Sequence, residues 1–387
     1  MNRLSPKNSV ILLLILRFLY SMNWYNVSPY LISVTQFYSE AEANSGLILS
    51  AFLLGAGIFQ IPSGILAARI GTRKVALWGM IIMSISVILS PLSPDFLVFL
   101  ASRFFVGVAS AFFFSSGIVL LNQIDRGNTD GKITLFNVSF AAGGGFGVIF
   151  FGEITRYLSW QPALFISGII TLVPSAIALI MIPEPGIVRK NMKGIMRKVY
   201  KPSILLISIG IGGYWAMNFT IPEFLNNFTL VVTGSVNTAG IVASLALFSG
   251  IFGIFFLPIA RKLKPLTSMA GLIALLSALV LLMPISNGIG LGVIAFVEGV
   301  FSITIFSGEY YYVVLLEKDE SVVPISIATM NSIQICMGSI VTFLFSIIYA
   351  ENRSYAWWIL GIIPLILFPI AISSLRNLSK ASGGQTS

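Results

Sequence analysis

The sequence predicts an all-α, polytopic membrane protein of 12 transmembrane helices arranged as two pseudo-symmetric six-helix bundles. Three observations carry that expectation. Of 387 residues, 56% are hydrophobic and only 10% charged, and the mean hydropathy is +0.94. A soluble domain carries about 25% charged residues, so water is not the main solvent here. Apolar runs of about 20 residues recur with short polar breaks, the length that crosses a hydrocarbon core of about 30 Å. The second six runs also repeat features of the first six.

The runs lie near residues 9–32, 45–67, 75–94, 96–121, 132–155 and 161–182, then 203–229, 236–260, 266–285, 288–316, 322–349 and 354–375; they are numbered spans 1 to 12. They are continuously apolar rather than alternating segments of about ten, which excludes barrel strands. The first run, Val10 to Leu16, continues helically past Arg17 with no small-residue cleavage site, so it reads as a span and not a signal peptide. Residues 183–202 form the longest polar segment and divide the chain into an N-terminal bundle, 1–182, and a C-terminal bundle, 203–387. Its basic stretch, Val188 to Lys201, suits either an amphipathic helix on the inner leaflet or a solvated linker.

Charge sets the orientation. Of 23 basic residues, 19 fall in the N-terminal tail, the even-numbered loops and the C-terminal tail, while the odd loops hold only Arg156 and Arg353. Such bias places both termini in the cytoplasm of a cell (plasma) membrane. It also accounts for the net charge of +9, which faces the cytosol and anionic headgroups rather than nucleic acid. The single cysteine, Cys336, excludes a disulfide framework or a multi-thiolate metal site. Histidine is absent, which removes the usual proton carrier at neutral pH and the commonest metal ligand. With no paired acidic motif, an enzyme is not expected, nor any cofactor or metal. The glycine run 143–147 is no phosphate loop, because no lysine follows it and it lies mid-membrane.

The internal repeat rests on three matches. Gly107, Ser110, Phe114 and Ser115 in span 4 recur as Gly299, Ser302, Phe306 and Ser307 in span 10, an offset of 192. Pro91 and Ser93 recur as Pro284 and Ser286 at 193. Met22, Asn23 and Pro29 recur as Met217, Asn218 and Pro222 at about 195, with a two-residue slip. Repeats of this kind are what secondary transporters use to build alternating access.

Over essentially its whole length the chain resembles the major facilitator superfamily. The loop between spans 2 and 3 carries Gly64, Arg69, Gly71 and Arg73 in the spacing of the family's signature loop, which gates the cytoplasmic side. Ala68 replaces the signature aspartate, and Thr72 replaces the first of its final basic pair. Arg103 and Gly107 match the family's span 4 pattern. Gly143 and Gly147 fall in the register of its antiporter motif, but Val148 and Phe151 stand where that motif has proline and glycine. The glycines Gly107, Gly143 and Gly147 also serve simple close packing of helices.

A charge in lipid costs at least about 2.5–3.5 kcal/mol, so each charge inside a span needs a reason. Arg17, Arg103, Glu223, Glu298 and Glu309 fall on spans 1, 4, 7 and 10, the spans that the resemblance implies line a central cavity. Glu298 and Glu309 are eleven residues apart, about 16 Å along one helical face, with Ser302 between them. These groups either face a site between the halves or form fixed salt bridges that latch the halves. A carboxyl whose cation partner moves away during rocking would carry a proton, since desolvation favours its neutral form and a nearby cation its charged form. Asn23, Trp24, Asn26, Trp215, Asn218, Asn331 and Gln334 are further candidates, or else polar glue between helices. Tyr310, Tyr311 and Tyr312 suit an interfacial belt as well as a site, Trp357 and Trp358 read as belt residues, and Glu153 with Arg156 as an interfacial pair.

The expected function is secondary transport of a small organic solute, a carboxylate or zwitterionic metabolite, by proton-coupled symport. The protein is expected to act as a monomer in the bilayer, driven by a proton or ion gradient and without nucleic acid. Efflux of hydrophobic compounds by proton antiport is the alternative, and a membrane-embedded sensor or channel the non-transporter one.

Overall fold

The computed structural model describes residues 3–124, 129–185, 201–256, 265–316 and 323–383. In a bilayer only helices or closed barrels satisfy their own backbone polar groups, and the described spans are helical. Among the described residues eleven helices are long and apolar enough to cross a membrane, and a bent pair makes a twelfth span. These helices follow the sequence expectation closely; residues 186–200 of the central segment lie outside the described residues, and with them the question of its helicity.

Span 1 begins at Pro6, where Ser5 caps the first turn by accepting from the Asn8 N–H at 3.3 Å. It runs to Tyr25, tightens into a 3₁₀ turn at Ser28–Tyr30 around Pro29, and continues as Leu31–Phe37. Span 2 is broken into Ser45–Ile58 and Gln60–Ile70, bent by 43°. Pro62 has no N–H to offer the Ile58 carbonyl, which places the break one turn upstream of it. Spans 3 to 6 are Thr72–Leu89, Phe96–Ile124, Thr129–Ile154 and Trp160–Met181. Span 7 is Pro202–Thr233, and span 8 is Val236–Phe248 ending in a 3₁₀ stretch, Ser249–Phe255. Spans 9 to 12 are Pro265–Leu282, Gly288–Leu316, Val323–Glu351 and Arg353–Gly383.

The signature segment differs from the loop expected of it. Gly64 and Arg69 lie in the second helix of span 2 and Arg73 in span 3, so the connection is Gly71 alone, at φ +97°. Only glycine adopts that conformation without strain. Arg73 donates to the Ile182 and Leu179 carbonyls and pairs with Glu184 at 3.2 Å, tying span 3 to the end of span 6 within the first half.

Within the first half, span 4 packs on spans 2 and 3, span 1 on spans 5 and 6, and span 3 on span 6. Within the second, span 7 packs on spans 8, 11 and 12, and span 10 on spans 8 and 9. The halves meet along two seams, span 2 against span 11 and span 5 against span 8. The repeat is visible in matched close approaches. A Cβ on Gly107 would lie 1.9 Å from the Phe52 carbonyl oxygen, and one on Gly299 2.6 Å from that of Ala246. Gly143 meets span 1 in the same way, 2.0 Å from the Phe18 carbonyl, and Gly147 lies 3.0 Å from that of Met22. Small residues at these crossings let backbones touch.

One belt assignment needs correcting: Trp357 is fully buried against Phe228 and Phe345. Tyr310, which suited belt or site equally, is half-buried, and Asn331 Nδ2 donates to its hydroxyl at 2.8 Å. Trp358 is exposed, as a belt residue should be. Glu153 and Arg156 form the expected pair at 3.6 Å, and Arg156 also reaches Asn237 of span 8.

Candidate functional site

A cavity of about 120 Å³ lies between the halves. Spans 1, 2, 4 and 5 form one wall and spans 7, 8, 10 and 11 the other. The near face of the protein is taken as the one where span 1 begins, the far face as the one where it ends. Towards the far face the halves are closed. Ser28 Oγ donates to the carbonyls of Pro222 and Glu223 at 3.0 and 3.1 Å, and the Trp24 ring meets Phe219 at 6.1 Å. Farther out, Ser346 Oγ donates to the Ala43 carbonyl at 2.7 Å and Arg353 pairs with Glu42 at 3.7 Å.

Arg17 lines the cavity about two turns nearer the near face than Trp24. Its guanidinium is 2% exposed and lies over the rings of Tyr20, Phe114, Phe136 and Phe140, at 4.4 to 5.1 Å from their centroids. Aromatic faces stabilise a cation without neutralising it. Nε and Nη1 have no acceptor, and no carboxylate among the described residues pairs with them.

Glu309 lines the opposite wall, from span 10. Its Oε2 accepts from the Trp215 indole N–H at 2.9 Å and from Gln334 Nε2 at 3.0 Å, both neutral donors. Its Oε1 is buried without a partner. Ser302, Asn218 and Asn331 share the lining, as do Gln60 and Asn137, which the sequence reading passed over. The signal was there in principle, since each is an amide inside an apolar run.

The other candidates sit elsewhere. Asn23 and Asn26 face span 6: Asn23 Nδ2 donates to Thr171 Oγ1 at 2.7 Å, Asn26 Nδ2 to Ser167 Oγ at 3.1 Å, and Ser167 back to Asn23 Oδ1 at 2.8 Å. They join spans of one half and do not line the cavity. Glu298 is set behind Asn218, whose Nδ2 donates to its Oε1 at 2.6 Å. Arg103 and Glu223 are fully buried on the far side of the cavity and outside its lining. They lie within Coulombic reach of each other across the halves, yet Arg103 Nε, Nη1 and Nη2 and both Glu223 oxygens lack partners. The alternative reading, fixed salt bridges among Arg17, Arg103, Glu223, Glu298 and Glu309, finds no such pair among the described residues.

Comparison with known proteins adds the following. The family model described as Major Facilitator Superfamily matches residues 13–334. A probable anion transporter of Oryza sativa subsp. japonica is 34% identical over 146 residues, which span 37% of this chain and 33% of that protein. The 4-hydroxybenzoate transporter PcaK of Pseudomonas aeruginosa is 23% identical over 238 residues, 58% of this chain and 51% of that one. The chain thus matches a third to a half of the length of these relatives. A crystal structure of a mutant of the nucleoside transporter NupG superposes with a TM-score of 0.77 at 13% identity, covering 95% of this chain and 99% of that one. That likeness is one of fold.

Proposed function

The chain belongs to the major facilitator superfamily, and on that premise we propose that it carries a small organic anion through alternating access of the cavity between its halves. The observation that carries this reading is Arg17. A nearly fully buried cation with two unsatisfied nitrogens is costly inside a membrane, and a bound carboxylate removes that cost. Aromatic rings hold the guanidinium in place without consuming its charge. The names of the rice and Pseudomonas relatives are consistent with an anionic cargo.

Proton symport is the coupling we favour. Glu309 faces the same cavity, and its free Oε1 is the atom that would take the proton. The two bundles, residues 1–182 and 203–387, would rock about the seams as units. The far-face seal then corresponds to a cavity closed to the outside, with both termini in the cytoplasm of a plasma membrane and a monomer as the working unit.

The test is a thermal-shift screen of the purified protein against metabolite carboxylates, since only binders of the folded state stabilise it. Carboxylates should raise the melting temperature of the native protein and not of an Arg17→Gln variant. A screen in which only lipophilic cations stabilise would favour efflux, with Glu309 as their counter-charge. Counterflow in vesicles separates a carrier from a channel, because only a carrier shows trans-stimulation.

A further inference from the structure

We propose that the substrate is an aromatic monocarboxylate bearing a neutral hydrogen-bonding group, a hydroxyl or ring amino group, away from the carboxylate. This rests on the anion reading above and narrows it. The lining decides three properties of the ligand in turn.

The first is charge. Arg17 is the one cation among the lining residues and Glu309 the one acid. A monocarboxylate on Arg17 and a proton on Glu309 leave the loaded cavity neutral. A dicarboxylate would leave one negative charge unmatched in a space closed to water on the far side, which low dielectric penalises.

The second is shape. Apart from those two charges, seven of the nineteen lining residues are aromatic, and they stand on both walls. Phe114 and Phe140 flank Arg17, and Trp215, Phe219 and Phe306 face them from the other half. Trp215 already makes an edge contact with Phe306 at 5.7 Å and a tilted one with Phe219 at 5.5 Å. A flat ring entering between these walls makes the offset and edge contacts that aromatic pairs prefer, which a saturated ring of similar size cannot.

The third is polarity at the remote end. Trp215 and Gln334 both donate to Glu309 Oε2, which leaves Oε1, once it carries the proton, as a buried donor without an acceptor. A buried donor left unmade carries the full desolvation penalty. A substrate hydroxyl or amino group that accepts from that O–H relieves it, whereas a bare ring does not.

The experiment uses the purified full chain and no variant. Concentration series of benzoate, the hydroxybenzoates, aminobenzoates, cyclohexanecarboxylate, succinate, phenylalanine and tetraphenylphosphonium are followed by thermal shift. At least one hydroxy- or aminobenzoate should half-saturate at about tenfold lower concentration than cyclohexanecarboxylate, and below benzoate. Cyclohexanecarboxylate, succinate or phenylalanine matching the best aromatic acid would overturn this inference while leaving an anionic or zwitterionic cargo in place. Stabilisation by tetraphenylphosphonium alone would overturn the anion reading itself. No shift with any of these probes would also reject the proposed substrate class.

Discussion

Ser50 and Ser339 exchange hydrogen bonds across the seam between the halves: Ser50 Oγ donates to the Ser339 carbonyl at 2.7 Å, and Ser339 Oγ donates back to the Ser50 carbonyl at 2.8 Å. Glycines bring the backbones near enough for this. A Cβ on Gly57, two turns along, would lie 2.6 Å from Cys336 Sγ. Bonds between helices in a membrane contribute about 0.6 kcal/mol each on average. Replacing both serines by alanine should therefore ease opening of this seam by about 1 kcal/mol, roughly fivefold. Cys336, the single cysteine of the sequence and half-buried in the same seam, reports it directly. Its alkylation rate should rise about that much in the double variant, and an unchanged rate would mean the seam does not part there.

Arg17→Gln should abolish uptake while leaving the ligand-free protein as stable as before or more so. Removing an unpaired buried charge is often neutral or stabilising, here offset by lost packing against the rings. Arg17→Lys should transport poorly, because an ammonium neither stacks as a guanidinium does nor offers a planar fork to a carboxylate. Melting curves and vesicle uptake measured on the same samples decide the point. Retained uptake in Arg17→Gln would remove Arg17 from the site.

Uptake by proton symport should weaken as the external pH rises, because fewer protons accompany the substrate down their gradient. Glu309→Gln should flatten that profile, since the amide cannot cycle a proton. Glu298→Gln should change it less, as Glu298 lies behind Asn218 and not in the lining. If both variants keep the native pH profile, coupling through span 10 is wrong.

Gly107→Ala should lower the melting temperature, because the new methyl would sit 1.9 Å from a backbone carbonyl that cannot rotate away. Overpacking of this kind costs about 1–3 kcal/mol or more. Gly64→Ala is the control: nothing lies within 4 Å of its Cβ position. There the substitution should be neutral, or stabilise by about 0.5–1 kcal/mol through helix propensity. Equal losses at both positions would show that the span 2 to span 4 contact is looser than it looks.

The spans were legible because lipid imposes one backbone solution and about 20 residues of length. The glycine crossings were legible because the repeat marked them twice, at Gly107 and Gly299. Which charges share a space was not. Arg17, Arg103, Glu223, Glu298 and Glu309 occupy cavity-type helices alike, yet only Arg17 and Glu309 reach the cavity lining. Depth along the helix and rotation about its axis separate them, and a shift of one residue turns a side chain by about 100°. The same uncertainty hid the role of Asn23 and Asn26, whose partners, Thr171 and Ser167, lie more than 140 residues away. The aromatic cage of Arg17 draws Phe114, Phe136 and Phe140 from two further spans, and among 30 phenylalanines nothing in the sequence distinguishes them.

The backbone contacts at Gly107 and Gly299 have a mechanical meaning. Helices whose backbones meet at a glycine have no compliant side-chain layer at that crossing, which would favour movement of each half as a unit. If the halves rock in that way, the displacement would fall at their margins, where the hydroxyl-to-carbonyl bonds of Ser28, Ser50 and Ser339 lie. Stiffness within each half is what would let a small charge event at the centre become a displacement at the rim.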